Sequence, residues 1–237
     1  MKSNYWSYAF SSGAYDFFSP MNYNAALEEA FLEAKLKPTD VVLDAGSGMG
    51  SLIPICSNWL KQGGKLVCMD IDQKGLSATS RRAEILGFNR KVSIREGDFT
   101  QLKFFNPDEF DVILSLFSLY AVSDEGGRQR VLQNFYLSLK SGGKIVLEVP
   151  SMDYAAISIL KDARERFEQT LSQKVKAALR NLLLLKWLTK LQRNLDAGVF
   201  HKFSEDELKL LLVKVGFTDV QIRKTYGGNA LLATAQK

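Results

Sequence analysis

Apolar positions along this chain fall into two alternating patterns, short continuous runs and stretches of helical period. Val41-Val42-Leu43 is a short β-branched run of the kind a strand buried on both faces shows, and Ser51-Leu52-Ile53-Pro54-Ile55 after it opens a helix reaching about Lys61. A second strand is expected from Lys65 to Met69, a helix through Leu86, and a third strand over the alternating Val92-Ser93-Ile94-Arg95-Glu96. Phe110 to Ser115 reads as the fourth strand. Gly126 to Lys140 reads as a helix with Val131, Leu132, Phe135 and Leu139 inward, and the fifth strand follows Gly142-Gly143 and ends at Pro150. Upstream, Asn24 to Lys35 carries Leu27, Ala30, Phe31 and Ala34 on one helical face and stops before Pro38, since the residue preceding proline is biased away from helix. Downstream, Ser204-Glu205-Asp206-Glu207 is a capping box for a helix over Leu208 to Val215, which Gly216 stops. Val220 to Arg223 and Leu231 to Ala235 are two final strands. Strand and helix in alternation predict a parallel sheet with helices on both faces.

Two segments fall outside this rhythm. Residues 1–23 are dense in aromatics (Tyr5, Trp6, Tyr8, Phe10, Tyr15, Phe17, Phe18 and Tyr23) without a clean period. They read as a cap segment over the main domain or as anchors to its core. Residues 151–200 are longer than a strand-to-helix connection needs, and long insertions beside a ligand crevice are usually functional. From Leu171 to Leu195 this insert has Lys174, Lys176, Arg180, Lys186, Lys190 and Arg193 but no acid, with Leu171, Val175, Ala178, Leu182 and Leu185 on one face. A helical lid buried on the core is the favoured reading. A basic, Trp-bearing amphipathic helix touching a membrane surface is the alternative. The domain reading is therefore a cap at 1–23, a core at 24–150 and 201–237, and a helical lid insertion at 151–200.

Composition narrows this picture only slightly. A chain of 237 residues, 46% hydrophobic and 24% charged, suits one domain with an elaboration. The formal charge of +5 reads first as a solvated surface. No secretory signal pattern and no apolar run of ~18 residues is present, so a cytoplasmic protein, peripheral to a membrane at most, is expected. Cys56 and Cys68 fall on the first helix and second strand and read as core thiols; with His201 the sole histidine, a Cys/His zinc site is short of ligands, and no metal is expected.

The candidate chemistry lies where the first strand meets Gly46, Gly48 and Gly50. Glycines there permit positive φ and let a ligand lie against bare backbone. Two cofactor classes use such a turn. A dinucleotide fold also wants an acid about 20 residues on, where Asp70 stands, yet its G-x-G-x-x-G fingerprint needs glycine at position 51, which is Ser51. Asp70 ends the second strand, where a carboxylate can accept from both ribose hydroxyls, and Asp72 suits a helix cap.

These residues resemble the class I S-adenosylmethionine-dependent methyltransferases of small-molecule type, whose first motif is a strand followed by D-x-G-x-G-x-G. Here that is Asp44-Ala45-Gly46-Ser47-Gly48-Met49-Gly50. Val67-Cys68-Met69-Asp70-Ile71-Asp72, Glu96-Gly97-Asp98-Phe99, Phe110-Asp111-Val112-Ile113-Leu114-Ser115 and Leu139-Lys140-Ser141-Gly142-Gly143-Lys144-Ile145-Val146-Leu147 are similar to its later motifs, in the family's order. The resemblance implies a Rossmann-like, seven-stranded, mostly parallel sheet whose last strand is antiparallel. It also implies S-adenosyl-L-methionine bound by Asp44, Gly46, Ser47, Gly48, Gly50, Asp70, Ile71, Asp98, Phe99, Leu114 and Ser115. Asp70 would hold the ribose, Asp98 the adenine amino group, and Leu114 and Ser115 the methionine end through backbone groups. Ile71 would lie against adenine or belong to the core.

The function expected is in-line methyl transfer to a small, hydrophobic acceptor, lipid- or quinone-like, with no nucleic-acid partner. The post-strand motif of DNA amino methyltransferases is absent after Ser115, and Tyr120 and Ala121 stand where many relatives carry histidine. Tyr15, Tyr120 and His201 are the catalytic candidates, each weak, and a structural role for His201 is favoured. Rival readings are an NAD(P)-dependent oxidoreductase and a cofactor-binding protein without catalysis acting at a membrane or on a partner.

Overall fold

The computed structural model describes residues 21–167 and 171–237. In chain order the elements are α1 (Met21–Ala34), β1 (Val41–Ala45), α2 (Leu52–Ile55), α3 (Ser57–Gln62), β2 (Lys65–Asp70), α4 (Gln73–Ile85), β3 (Val92–Glu96) and β4 (Phe110–Leu116). Then come α5 (Glu125–Ser138), β5 (Leu139–Pro150), α6 (Ala156–Phe167), α7 (Leu171–Asp196), α8 (Glu205–Val215), β6 (Thr218–Thr225) and β7 (Ala230–Gln236). The strands form one seven-stranded sheet in the order β3-β2-β1-β4-β5-β7-β6. β1 to β5 pair in parallel, and β7 runs antiparallel to both β5 and β6.

The period of two along each strand sorts the core into two layers. Val42, Leu66, Cys68, Leu114 and Val146 pack on one side with α1, α2, α3 and α4. Leu43, Val67, Met69, Ile113, Ile145 and Leu147 face the other way, with residues of α5, α6, α7 and α8. Cys56 and Cys68 are buried free thiols in the first layer, where burial pushes the Cys56 thiol up to about 12. The chain leaves β1 towards β3 and returns to β4 on β1's other side, so the order reverses between β1 and β4. Open α/β sheets bind ligands at the carboxyl ends of the strands at such a point.

Three expectations about elements need correction. The helix after β1 is two short pieces that break at Cys56, whose φ/ψ of −85°/7° leaves the helical region. α1 starts at Met21, so Tyr23 lies in the helix and not in a cap segment; residues 1–20, with Tyr15, lie outside the described residues. Leu139 is the first residue of β5, opposite Phe110, because the sheet ladder captures it as soon as α5 ends at Ser138.

The insert's helix α7 shows a buried stripe at Leu184, Leu188, Leu191 and Leu195, while Leu182 is 67% exposed. The apolar face expected at Leu182 is thus rotated. Leu182 to Leu185 is apolar nearly all round, so periodicity could not phase it, and contact with the core decides. Leu188, Leu191 and Leu195 belong to the same cluster as Leu147 and Phe203. Asn22 ties α1 to α6 by donating to Ile159 O (2.9 Å) and Asp162 Oδ2 (3.0 Å). Among the described residues no helix is long and apolar enough to cross a membrane.

One strand position breaks the apolar pattern. Glu148 of β5, paired across to Leu116 and Leu232, is fully buried and neither carboxyl oxygen has a hydrogen-bond partner. Nearby, Thr225 Oγ1 donates to Glu29 Oε2 (2.9 Å), and Arg223 bonds Glu29 and Glu33 on α1. Burial and then the Glu29 charge push the Glu148 carboxyl up to about 8, with Arg223 and Thr225 offsetting part of the rise. Unfolding restores the ordinary value of 4.5, so between those two values only the native state holds the proton. Stability therefore falls as pH rises through this window and is flat above it. Glu148→Gln should remove that dependence. Thermal melts from pH 5 to 9 should show a gap between wild type and variant that widens with pH, reaching a few kcal/mol as an order of magnitude; parallel curves would contradict the assignment.

Candidate active site

The first strand ends in a loop sewn to its neighbour. Gly46 N and Ser47 N both donate to Met69 O, at 2.8 and 3.0 Å, and Gly48 N donates to Asp70 Oδ2 at 2.8 Å. Thr79 Oγ1 of α4 donates to Gly48 O (2.9 Å), so the loop is held from both flanks. Asp72 caps α4 as expected, accepting from Gly75 N (3.0 Å) and Lys74 N (3.4 Å).

Two glycines in the loop serve different ends. Gly46 has φ +89°, and a Cβ on it would fall 2.3 Å from Ser118 Cβ. Ser118 Oγ in turn donates to Ala45 O (2.7 Å) and lies 2.7 Å from Ser115 Oγ, so the turn after β4 rests directly on Gly46. Gly48 has φ +52° with nothing within 4 Å of where a Cβ would be. It borders open space, where backbone can meet a ligand.

The charges around this space are acids. Asp44 is buried at the end of β1, and burial followed by the nearby Asp70 charge pushes it up to about 7. Burial also raises Asp70, opposed by the amides of Asp72 and Gly48. Asp72 N donates to Asp70 Oδ1 at 2.9 Å, so backbone amides engage both Asp70 oxygens. Ser47 Oγ is buried without a partner. Acids, an orphan hydroxyl and bare backbone suit a ligand with hydroxyls and a cationic group, and the ribose, amine and sulfonium of S-adenosylmethionine offer both.

The remaining residues expected at the site fall into two groups. Ile71 is 38% exposed just beyond Asp70, and Gly97 N donates to Asp70 O (3.0 Å), which sets Asp98 beside it. Asp98 Oδ1 accepts from Thr100 N (2.9 Å) and Thr100 Oγ1 (2.6 Å), while among the described residues Oδ2 accepts only from Gln101 Nε2 at 3.3 Å. Burial raises Asp98, but those hydrogen bonds outweigh it and leave the carboxyl below its ordinary value. Phe99 packs its ring on Phe135 (6.1 Å) and accepts from Asn134 Nδ2 (3.0 Å). Leu114 is fully buried, in register with Asp44 on one side and Val146 on the other. Ser115 is likewise buried in the strand, and its hydroxyl supports Ser118. The chain reaches the crevice just beyond, at Phe117, which has φ +51° and packs on Tyr23 (5.4 Å) and Tyr226 (5.6 Å). No sequence signal marked Phe117 or Ser118.

His201 and Tyr120 are brought together, in a supporting network. His201 N donates to Tyr120 O (2.9 Å), and His201 Nε2 lies 2.6 Å from Glu207 Oε1. Arg128 Nη2 is 3.5 Å from the same oxygen, and Arg128 Nη1 donates to Val122 O and Ser123 O after β4. Glu207, read as the closing half of a capping box, thus spends its carboxylate on His201, while Ser204 Oγ does cap α8 by accepting from Glu207 N (3.1 Å).

A sheet of this order with one antiparallel strand, a glycine loop after β1 and an acid ending β2 define the class I methyltransferase fold. Residues 5–222 match the family model for the methyltransferase domain, and the chain belongs to that family, whose cofactor is S-adenosylmethionine. Among solved structures the chain is similar to a SAM-dependent methyltransferase from Aquifex aeolicus, at 15% identity over 96% of this chain and 98% of that one, TM-score 0.64. A methyltransferase from Methanosarcina mazei is similar at 20% identity over 87% and 96%, TM-score 0.57. A "possible exported protein" from Bordetella parapertussis is similar at 17% identity and TM-score 0.64, over 90% of this chain but 66% of that one, just under two thirds of its length. At these identities the likeness is one of fold.

The two glycines separate folding from binding. Gly46→Ala meets Ser118 and should lower the melting temperature strongly, while Gly48→Ala meets no neighbour and should cost about 1–2 kcal/mol for its left-handed φ. Gly48→Ala should nevertheless lose cofactor affinity at least tenfold by calorimetry. Full affinity in a folded Gly48→Ala protein would show that no ligand lies on that backbone.

Proposed function

We propose that this protein transfers the S-adenosylmethionine methyl group to a small acceptor with an apolar body. The observation that carries the cofactor half is the Gly48 amide bonded to Asp70 beside open space, with the buried Asp44 behind it. In this reading Asp70 accepts from the ribose hydroxyls and Gly46, Ser47, Gly48 and Gly50 shape the loop around the methionine end. Asp98 reads the adenine amino group through its weakly engaged Oδ2, and Ile71 and Phe99 border the ring. Asp44 supplies negative potential to the cationic end. Bound there, the sulfonium supplies an activated methyl group; the chain contributes proximity, alignment and exclusion of water.

The acceptor half rests on what surrounds the carboxyl ends of β4 and β5. Phe117, Tyr23 and Tyr226 form an aromatic group there, and the leucine stripe of α7 joins the same core cluster. Such walls favour an apolar acceptor. The segment 151–200, with its Leu171 to Leu195 portion, serves in this reading as its cover.

Calorimetry with S-adenosylmethionine, its demethylated product and NADH tests the cofactor assignment. Wild type should bind the first two and not the third. Asp70→Ala should weaken binding by roughly 1.5–3 kcal/mol, about 10- to 150-fold, the range for hydrogen bonds to a charged group. NADH binding in their place, or unchanged affinity in a folded Asp70→Ala protein, would overturn the reading.

A further inference from the structure

The insert has an inner and an outer face of different chemistry. Ala156 and Ile159 of α6 join Leu188, Leu191 and Leu195 of α7 in one core cluster, and Ala156 N donates to Gln192 Oε1 (2.9 Å) across the helix pair. Both helices therefore turn a stripe toward the same core, and their opposite stripes share one outer surface. On α7 that outer stripe is Leu182, Lys186, Lys190 and Arg193, all exposed. At about 100° per residue these four fall within roughly 80° of one another, opposite the buried leucines. On α6 the exposed Ile157, Lys161 and Arg164 follow the same i, i+4, i+7 spacing. Each helix thus presents one large apolar side chain among bases, Ile157 at 74% exposure and Leu182 at 67%.

The charge of this surface is one-sided. Among the described residues of the two helices the acids are Asp162, Glu165 and Asp196. Asp162 accepts from Asn22 Nδ2 of α1 (3.0 Å) with Arg166 Nη1 3.7 Å away, and Asp196 accepts from Lys202 Nζ (2.8 Å). Glu165 Oε1 lies 3.9 Å from Lys161 Nζ. Each acid is matched by a base, and Arg164, Lys186, Lys190 and Arg193 remain in excess. A polyanion such as nucleic acid complements those bases but gains little from Ile157 and Leu182. A membrane surface holding anionic lipid complements both, with phosphates for the bases and the upper acyl chains for the apolar pair.

We propose that the outer face of α6 and α7 docks on a membrane surface that contains anionic lipid, with the bases at the headgroups and Ile157 and Leu182 below them. The inner stripes keep their place on the core, so docking needs no unfolding of the insert. The proposal stands on this surface alone and does not rest on the methyltransferase reading.

The test is sedimentation of the full chain with vesicles of phosphatidylcholine alone and of phosphatidylcholine with an equal part of phosphatidylglycerol, at low and high salt. Wild type should bind the anionic vesicles at least tenfold more tightly than the neutral ones, and salt should weaken that binding. Each base near an anionic surface contributes roughly fivefold in affinity, so Lys186→Glu with Arg193→Glu should lose at least tenfold. The matched reversal Lys61→Glu with Lys65→Glu, at the exposed end of α3 and start of β2, should change binding little. Ile157→Ser with Leu182→Ser should weaken vesicle binding severalfold and leave binding to a short DNA duplex unchanged. These side chains are exposed, so every variant should melt close to wild type. No preference for the anionic vesicles overturns the proposal, as does an equal loss in the two charge reversals. Tighter binding to the duplex than to the anionic vesicles, or no effect of the serine pair on vesicle binding, overturns it too and makes the face a polyanion site.

Discussion

The hydrogen bond from Gly48 N to Asp70 Oδ2 joins the two strands on which everything else depends. It needs glycine backbone at positive φ and an acid at the last residue of β2, and both follow from where the strands end. Because β1 and β2 are buried on both faces, their register leaves little freedom: Ala45 lies opposite Met69, so the loop after β1 must cross the carboxyl end of β2. Met69 O takes the first two loop amides and Asp70 the next available one. A crevice of bare backbone and buried carboxylates is thus a by-product of closing the sheet, and the turn after β4 completes it by laying Ser118 on Gly46.

The sheet was readable because its signals are local. Val41 to Leu43 and Val92 to Glu96 announce themselves by length and period, and the order of motifs from Asp44 through Leu147 narrowed the fold and the cofactor together. Asp72 as cap and Gly216 as stop were also local, needing only the chemistry of a helix end. The errors fell where long-range contact overrides a local pattern. Leu139 fits a helical face, yet Phe110 across the ladder makes it a strand residue. Leu182 to Leu185 has no polar side to set its phase, so only the core could choose Leu184, Leu188, Leu191 and Leu195. Leu114 and Ser115 carry the right motif and are buried within the strand, and Phe117 N still bonds Glu148 O of β5 at 2.7 Å.

What the sequence could not show at all is which polar groups lack partners. Ser47 and Glu148 are unremarked letters in a row, and each becomes informative only once burial and neighbours are known. Conversely His201, conspicuous as the lone histidine, pairs with a carboxylate six residues later in the chain that no pattern would have assigned to it.

Asp44 and Glu148 show that the same symptom has two meanings. Both are buried acids pushed well up, each with another acid contributing to the rise. Glu148 is fully buried in β5 with the Glu29 charge of α1 adding to its rise, so it costs stability. Asp44 stands beside Asp70 at the glycine loop, and on the reading proposed above a cationic ligand there would restore what burial removed. Binding such a ligand lowers the proton affinity of Asp44 and stabilises the native state in the same act, because a group that binds only the folded chain adds its binding free energy to folding. On the reading proposed above, the cofactor's positive charge would offset the repulsion between Asp44 and Asp70 at this crevice.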